Sequence, residues 1–143
     1  MKKWVWISMM AVLFSCKDKT PKAISDEHLT ASDLITLAPK LNFPVMINDS
    51  LLNRKENDSS KINIATFKTF VPDSVFTKLY PATKQLKLYV VGKIANSGNG
   101  DFILMKSITG KTAAAQLYYF DKKKGYLSVL DVTRHLPKGT GIK

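Results

Sequence analysis

Leu86-Lys87-Leu88-Tyr89-Val90-Val91-Gly92-Lys93-Ile94 is the first of four runs rich in Val, Ile, Leu, Phe and Tyr that fill the last third of a 143-residue chain. The other three span 101–108, 113–121 and 126–133. β-branched and aromatic side chains suit a pleated, half-buried surface. In the first run Leu86, Leu88, Val90 and Ile94 share one face, and Lys87, Tyr89 and Lys93 take the other. Turn-forming residues separate the runs: Asn96-Ser97-Gly98-Asn99-Gly100, Thr109-Gly110-Lys111 and Asp121-Lys122-Lys123-Lys124-Gly125. Connections this short make neighbouring strands antiparallel. The stretch is therefore expected to be a β-meander of about four strands.

Upstream the periodicity changes. Val71-Pro72-Asp73-Ser74 reads as a helix start, with proline in the first turn and an acid against the helix dipole. Val75, Phe76, Leu79 and Tyr80 form its apolar stripe, and Pro81 ends it. Leu34, Leu37 and Leu41 are spaced for one short amphipathic helix, with Ser32 as N-cap and Pro39 limiting its length. Residues 43–47 read as a short edge strand or an extended segment, because Pro44 cannot donate to a ladder. The polar stretch 48–63 around Leu51-Leu52 reads as a loop. The expected fold class is α+β, with short N-terminal helices and an antiparallel meander, in a single domain over 32–143. The residues after Arg134 include two glycines and Pro137, and cannot add a strand of ordinary length. The run 126–132 is then an edge, where a partner or a second copy can add by strand pairing.

The N-terminus has a different composition. Lys2-Lys3 precedes 11 uncharged residues, 4–14, which is the length of a secretory apolar region and too short for a membrane-spanning helix. Leu13-Phe14-Ser15-Cys16 follows, and Cys16 is the only cysteine in the chain. This junction resembles the lipobox of bacterial lipoproteins. The resemblance implies cleavage between Ser15 and Cys16 and acyl chains such as palmitate on Cys16, hence attachment to a membrane. Residues 1–15 are then a signal peptide, and 16–31, with almost no apolar content, a lipidated cysteine and flexible tether. No Asp follows Cys16 directly, so the inner-membrane retention signal of enteric bacteria is missing. Lys17-Asp18 matches part of the surface-export tag of Bacteroidota lipoproteins. The expected place is the cell envelope, at the outer membrane, on its periplasmic or surface face. The body also resembles small lipoproteins of Bacteroidota with no assigned chemistry, through Phe43-Pro44, Val91-Gly92-Lys93-Ile94 and Tyr118-Tyr119-Phe120-Asp121-Lys122.

The chain carries 22 basic and 11 acidic side chains, a net charge of +11; without Lys2 and Lys3 the remainder is about +9. Only Arg54 and Arg134 are arginine. Base readout and phosphate forks favour arginine's planar donors, which speaks against nucleic acid as a partner. A lone cysteine leaves no disulfide framework and no cysteine-ligated metal in a lipidated chain. His28 and His135 have no second ligand at helix or strand spacing, so no metal and no cofactor is expected. Ser74, Asp131 and His135 are the residue types of a catalytic triad, but no G-x-S-x-G elbow surrounds any serine. Asp101 and Asp121 flank turns, where Asp is at home for backbone reasons. Gly98 to Gly100 opens a strand rather than a helix, so it is a turn and not a phosphate cradle. The aromatic cluster has two readings. Tyr118 and Phe120 face one way in a strand and Tyr119 the other, so half of them belong to the core. A row of Tyr118, Tyr119 and Tyr126 beside lysines is alternatively a binding face for a sugar ring or a peptide. The expectation is a membrane-anchored binding or structural module of the envelope with a protein or glycan partner. The alternatives are an envelope enzyme with a non-standard site and a glycan-binding accessory protein.

Overall fold

A computed structural model describes residues 22–42, 44–95 and 98–132, with only the backbone of Ala95. The expected signal peptide, Ser15, Cys16, the first part of the expected tether, Phe43, the Asn96-Ser97 pair, Thr133 and the residues from Arg134 lie outside the described residues. The elements are helices α1 (Ala31–Leu37), α2 (Asp49–Asn53), α3 (Ile64–Lys68) and α4 (Asp73–Leu79), and strands β1 (Lys61–Ile62), β2 (Leu86–Ala95), β3 (Gly100–Thr109), β4 (Thr112–Asp121) and β5 (Tyr126–Asp131). They form one α+β unit whose antiparallel sheet has the order β1-β2-β3-β4-β5.

The meander forms where turn chemistry and strand propensity agree. Gly110 has φ +59°, the left-handed position at the first residue of the two-residue β3–β4 turn. The β4–β5 loop is closed by Asp121, whose carboxylate accepts the Gly125 N–H at 2.9 Å. One strand departs from simple alternation. Val90 pairs with Met105 and Gly92 with Leu104, so Val91 is an extra, bulged residue. The bulge reverses the faces beyond it. Ile94 lies opposite Phe102 on one face, and Lys93 lies opposite Ile103 on the other, where its amine donates to the Ile35 carbonyl at 2.9 Å. The single face expected for Leu86, Leu88, Val90 and Ile94 therefore holds only up to Val90.

Both faces of the sheet are covered. Leu88, Val90, Ile103, Met105, Tyr118 and Phe120 pack against Leu34 and Ile35 of α1, Phe67 of α3, Phe76 of α4 and Tyr80. The Phe67 ring meets Tyr118 edge-on at 5.2 Å, which anchors α3 over the sheet centre. On the opposite face Val91, Leu104 and Ala115 are covered by Leu41, Val45, Ile47, Leu51 and Leu52. Of the two forms expected for this segment the edge strand is not the one found: residues 44–47 belong to no strand, and Val45 and Ile47 pack half-buried on the face of the sheet. Pairing with the β2 edge comes earlier, where Pro39 and Leu41 bracket Lys93 with hydrogen bonds of 2.8 and 2.9 Å. Only glycine permits that approach, since a Cβ at position 92 would stand 2.5 Å from Leu41 Cγ and 2.6 Å from the Pro39 oxygen.

The polar stretch 48–63 is more ordered than its composition indicates, because its asparagines act as caps. Asn48, Asn57 and Asn63 accept the backbone N–H groups of Leu51, Ser59 and Ala65. Ile62 of the two-residue β1 enters the core. The cap of α1 is Thr30 rather than Ser32, in a reciprocal box with Asp33. Leu37 is exposed and Leu41 packs on the far face of the sheet, so the expected Leu34-Leu37-Leu41 stripe is broken by the turn at Pro39. Among residues 22–30 of the expected tether, Ile24 and Leu29 are buried, and Thr66 Oγ1 donates to the Glu27 carbonyl at 3.0 Å.

Candidate functional site

Helix α4 lies beside β5, the last strand of the sheet, and between them runs a cleft of about 460 Å³. Ser74, Val75, Lys78 and Leu79 line it from the helix, and Tyr126, Val129 and Asp131 from the strand. Spacing decides this: residues three and four apart share a helix face, and alternate strand residues share a sheet face. Val75, Leu79 and Val129 are apolar, Ser74, Lys78 and Asp131 polar. The Tyr126 ring meets Phe120 edge-on at 6.5 Å, and burial pushes the pKa of its phenol up.

Behind the cleft lies a buried polar chain. Asp131 sits opposite Gln116 on β4. Tyr80 donates to Gln116 Oε1 at 3.1 Å, and its oxygen lies 2.8 Å from the Tyr118 hydroxyl. With the Tyr80 proton on Gln116, the Tyr118 hydroxyl donates to Tyr80. Burial pushes the Tyr80 pKa up to about 12; the Tyr118 hydrogen bond opposes this, and the Asp131 charge adds to it. Tyr118 is raised further, first by burial and then by Tyr80. Both phenols stay neutral at ordinary pH, so they serve as hydrogen-bond donors and not as bases.

The three tyrosines expected as one face do not form one. Tyr118 is fully buried and belongs to the core. Tyr119 points to the other side of the sheet and stacks on Phe102, with centroids 4.6 Å apart. Tyr126 alone of the three lines the cleft. Ser74 and Asp131 do line the same cleft, while His135 lies outside the described residues. Asp101 forms an ion pair with Lys124 at 2.8 Å, and Asp121 closes its loop. His28 lines a separate depression with Glu27, Asn63 and Thr66. Among the described residues no group of three or more His, Cys, Asp or Glu side chains stands close enough to hold a metal ion.

One group escaped the sequence reading. Lys106 is almost wholly buried on the face opposite α1, α3 and α4, beneath α2. Its ammonium donates to the carbonyls of Leu51 and Arg54, at 3.0 and 2.5 Å, and to Glu56 at 3.3 Å. It thereby satisfies the C-terminal end of α2, a structural task. The only signal in the sequence is a lysine at a position of alternation where apolar neighbours predominate.

Comparison with protein families, with curated proteins and with solved structures finds no match for this chain.

Proposed function

We propose that the chain is a cell-envelope lipoprotein, held to the membrane by acyl chains on Cys16, whose folded body is a binding module that accepts an extended strand along β5. The anchor half of this reading rests on the order Lys2-Lys3, an 11-residue apolar run and Leu13-Phe14-Ser15-Cys16. Among the described residues no helix is long and apolar enough to cross a membrane. The observation that carries the binding half is the edge of β5. Among the described residues this strand pairs with β4 alone, and Leu127 and Leu130 on it are about half exposed. An open edge offers a row of main-chain donors and acceptors, and strand addition uses them whatever the partner's side chains.

The occupant favoured by charge is a second copy. Antiparallel pairing of two β5 strands about a two-fold axis sets Lys122 and Lys123 of one copy beside the Asp131 end of the other. Light scattering of the full chain in detergent is expected to show a concentration-dependent dimer, lost in Val129→Pro. A strict monomer at high concentration sinks the edge reading. The anchor is tested separately by intact mass of membrane-extracted protein. The mature chain should begin at Cys16 and carry acyl mass, and Cys16→Ala should abolish both; a mature chain without acyl mass refutes the anchor.

A further inference from the structure

A second concavity, of about 420 Å³, lies away from the cleft, where β2 begins and β3 ends. Three lysines frame it: Lys61 from β1, Lys84 from the turn before β2, and Lys87 from β2. The sheet register explains their convergence. Lys61 is opposite Tyr89, and Lys87 lies two residues from Tyr89 on the same face, so Lys61 and Lys87 are diagonal neighbours across the strand pair. Gln85 and Gly110 supply another side, with Gln85 Oε1 only 3.3 Å from where a Gly110 Cβ would stand. Leu86 is buried and Ile108 half-buried. Among the described residues no acidic side chain lines the hollow.

Lysines elsewhere in the described residues show what is unusual here. Lys22, Lys106 and Lys124 each meet a carboxylate, and Lys93 meets a carbonyl. No ion pair or hydrogen bond to another described residue engages the ammonium groups of Lys61, Lys84 or Lys87. Three like charges around one hollow repel each other, and an anion between them relieves that repulsion. A single carboxylate leaves two of the charges unanswered. A phosphate monoester carries nearly two negative charges and three strong acceptor oxygens. Lysine meets it as a rotatable point charge, without the planar fork a carboxylate prefers. The hollow is larger than a phosphate alone and falls in the range of small-ligand sites.

We propose that Lys61, Lys84 and Lys87 form a binding site for a phosphate monoester carried on a larger group, either a soluble sugar phosphate or a phosphorylated lipid headgroup. The site stands independently of the anchor and of the β5 edge. Calorimetric titration of the full chain at low ionic strength with glucose 1-phosphate, and flotation of the Cys16→Ala chain with vesicles containing phosphatidic acid in excess of that with phosphatidylcholine alone, separate the two sources. Saturable binding in the first arm marks a soluble ligand, and binding in the second arm alone marks a headgroup; either supports the site. The triple variant Lys61→Gln, Lys84→Gln, Lys87→Gln should bind about tenfold or more weakly. The variant Lys40→Gln, Lys55→Gln, Lys68→Gln removes the same charge elsewhere and should bind as the parent does. All six side chains are exposed, so both variants keep the fold. Chemical acylation of the parent gives a second readout, with bound ligand protecting Lys61, Lys84 and Lys87 before other lysines. No saturable binding in either arm, or equal loss in both triple variants, overturns the proposal.

Discussion

The hydroxyls of Tyr80 and Tyr118 lie 2.8 Å apart and tie the end of helix α4 to the middle of strand β4. Tyr80 also donates to Gln116, so it has two partners where Tyr118 has one. Tyr80→Phe leaves two buried polar groups without it and should cost about 2 kcal/mol, whereas Tyr118→Phe should cost about 1 kcal/mol. Urea unfolding of both variants and of the double variant checks the order and the coupling.

The same pair makes stability fall in alkali. Tyr80 ionises at about 12 in the folded chain against 10 in the open one. Its contribution is complete below pH 10 and is lost as pH rises through about 12, because the unfolded chain gives up the proton first. The melting temperature should drop across that window, and more gently in Tyr80→Phe.

In acid the relevant carboxyl is Asp33. The Lys22 ammonium, then the Thr30 hydroxyl and backbone N–H, hold it near 2 rather than 3.8. Its contribution is present above the ordinary value and is lost as pH falls through about 2. Asp33→Asn should flatten the acid side of the melting curve, and added salt should do so in part, since the ion pair is exposed. An unchanged acid limb in the variant would contradict this assignment.

Removing the buried ammonium exposes what it satisfies. Lys106→Met leaves two carbonyls at the end of α2 and the Glu56 carboxylate short of a donor. The expected loss is roughly 3 kcal/mol. Adding Glu56→Gln should return part of it, although Arg54 already shares that carboxylate. Chemical denaturation of the single and double variants measures both steps.

Leu29→Ala tests whether the segment before α1 belongs to the fold. Leu29 is 4% exposed, and truncation should cost about 2–4 kcal/mol. A tether would tolerate the change with no shift in melting temperature.

How far the sequence reaches can be followed residue by residue. The four long strands, the Gly110 and Asp121 turns and the Pro72-Asp73 start of α4 were legible, because each depends on neighbours within a few positions. The split of Tyr118 from Tyr119 was equally legible, since strand parity is local. The bulge at Val91 was not: it sits beside Gly92, which admits Pro39 and Leu41, and nothing near position 91 announces those partners. The short polar spans misled in the other direction. Asn48, Asn57 and Asn63 read as loop residues, and the same side-chain oxygens cap turns once Leu51, Leu52 and Ile62 find a sheet to cover.

By itself, then, the sequence determined the α+β class, the meander and the position of its turns, all consequences of backbone preference and period. Only the tertiary structure decided that Ile24 and Leu29 are core, that Tyr118 is inside, that Lys106 is buried against α2, and that Lys61 stands with Lys84 and Lys87 around one hollow. Periodicity tells which side chains share a face. What that face meets depends on chain brought from dozens of residues away, and long-range closure leaves no local mark on the pattern.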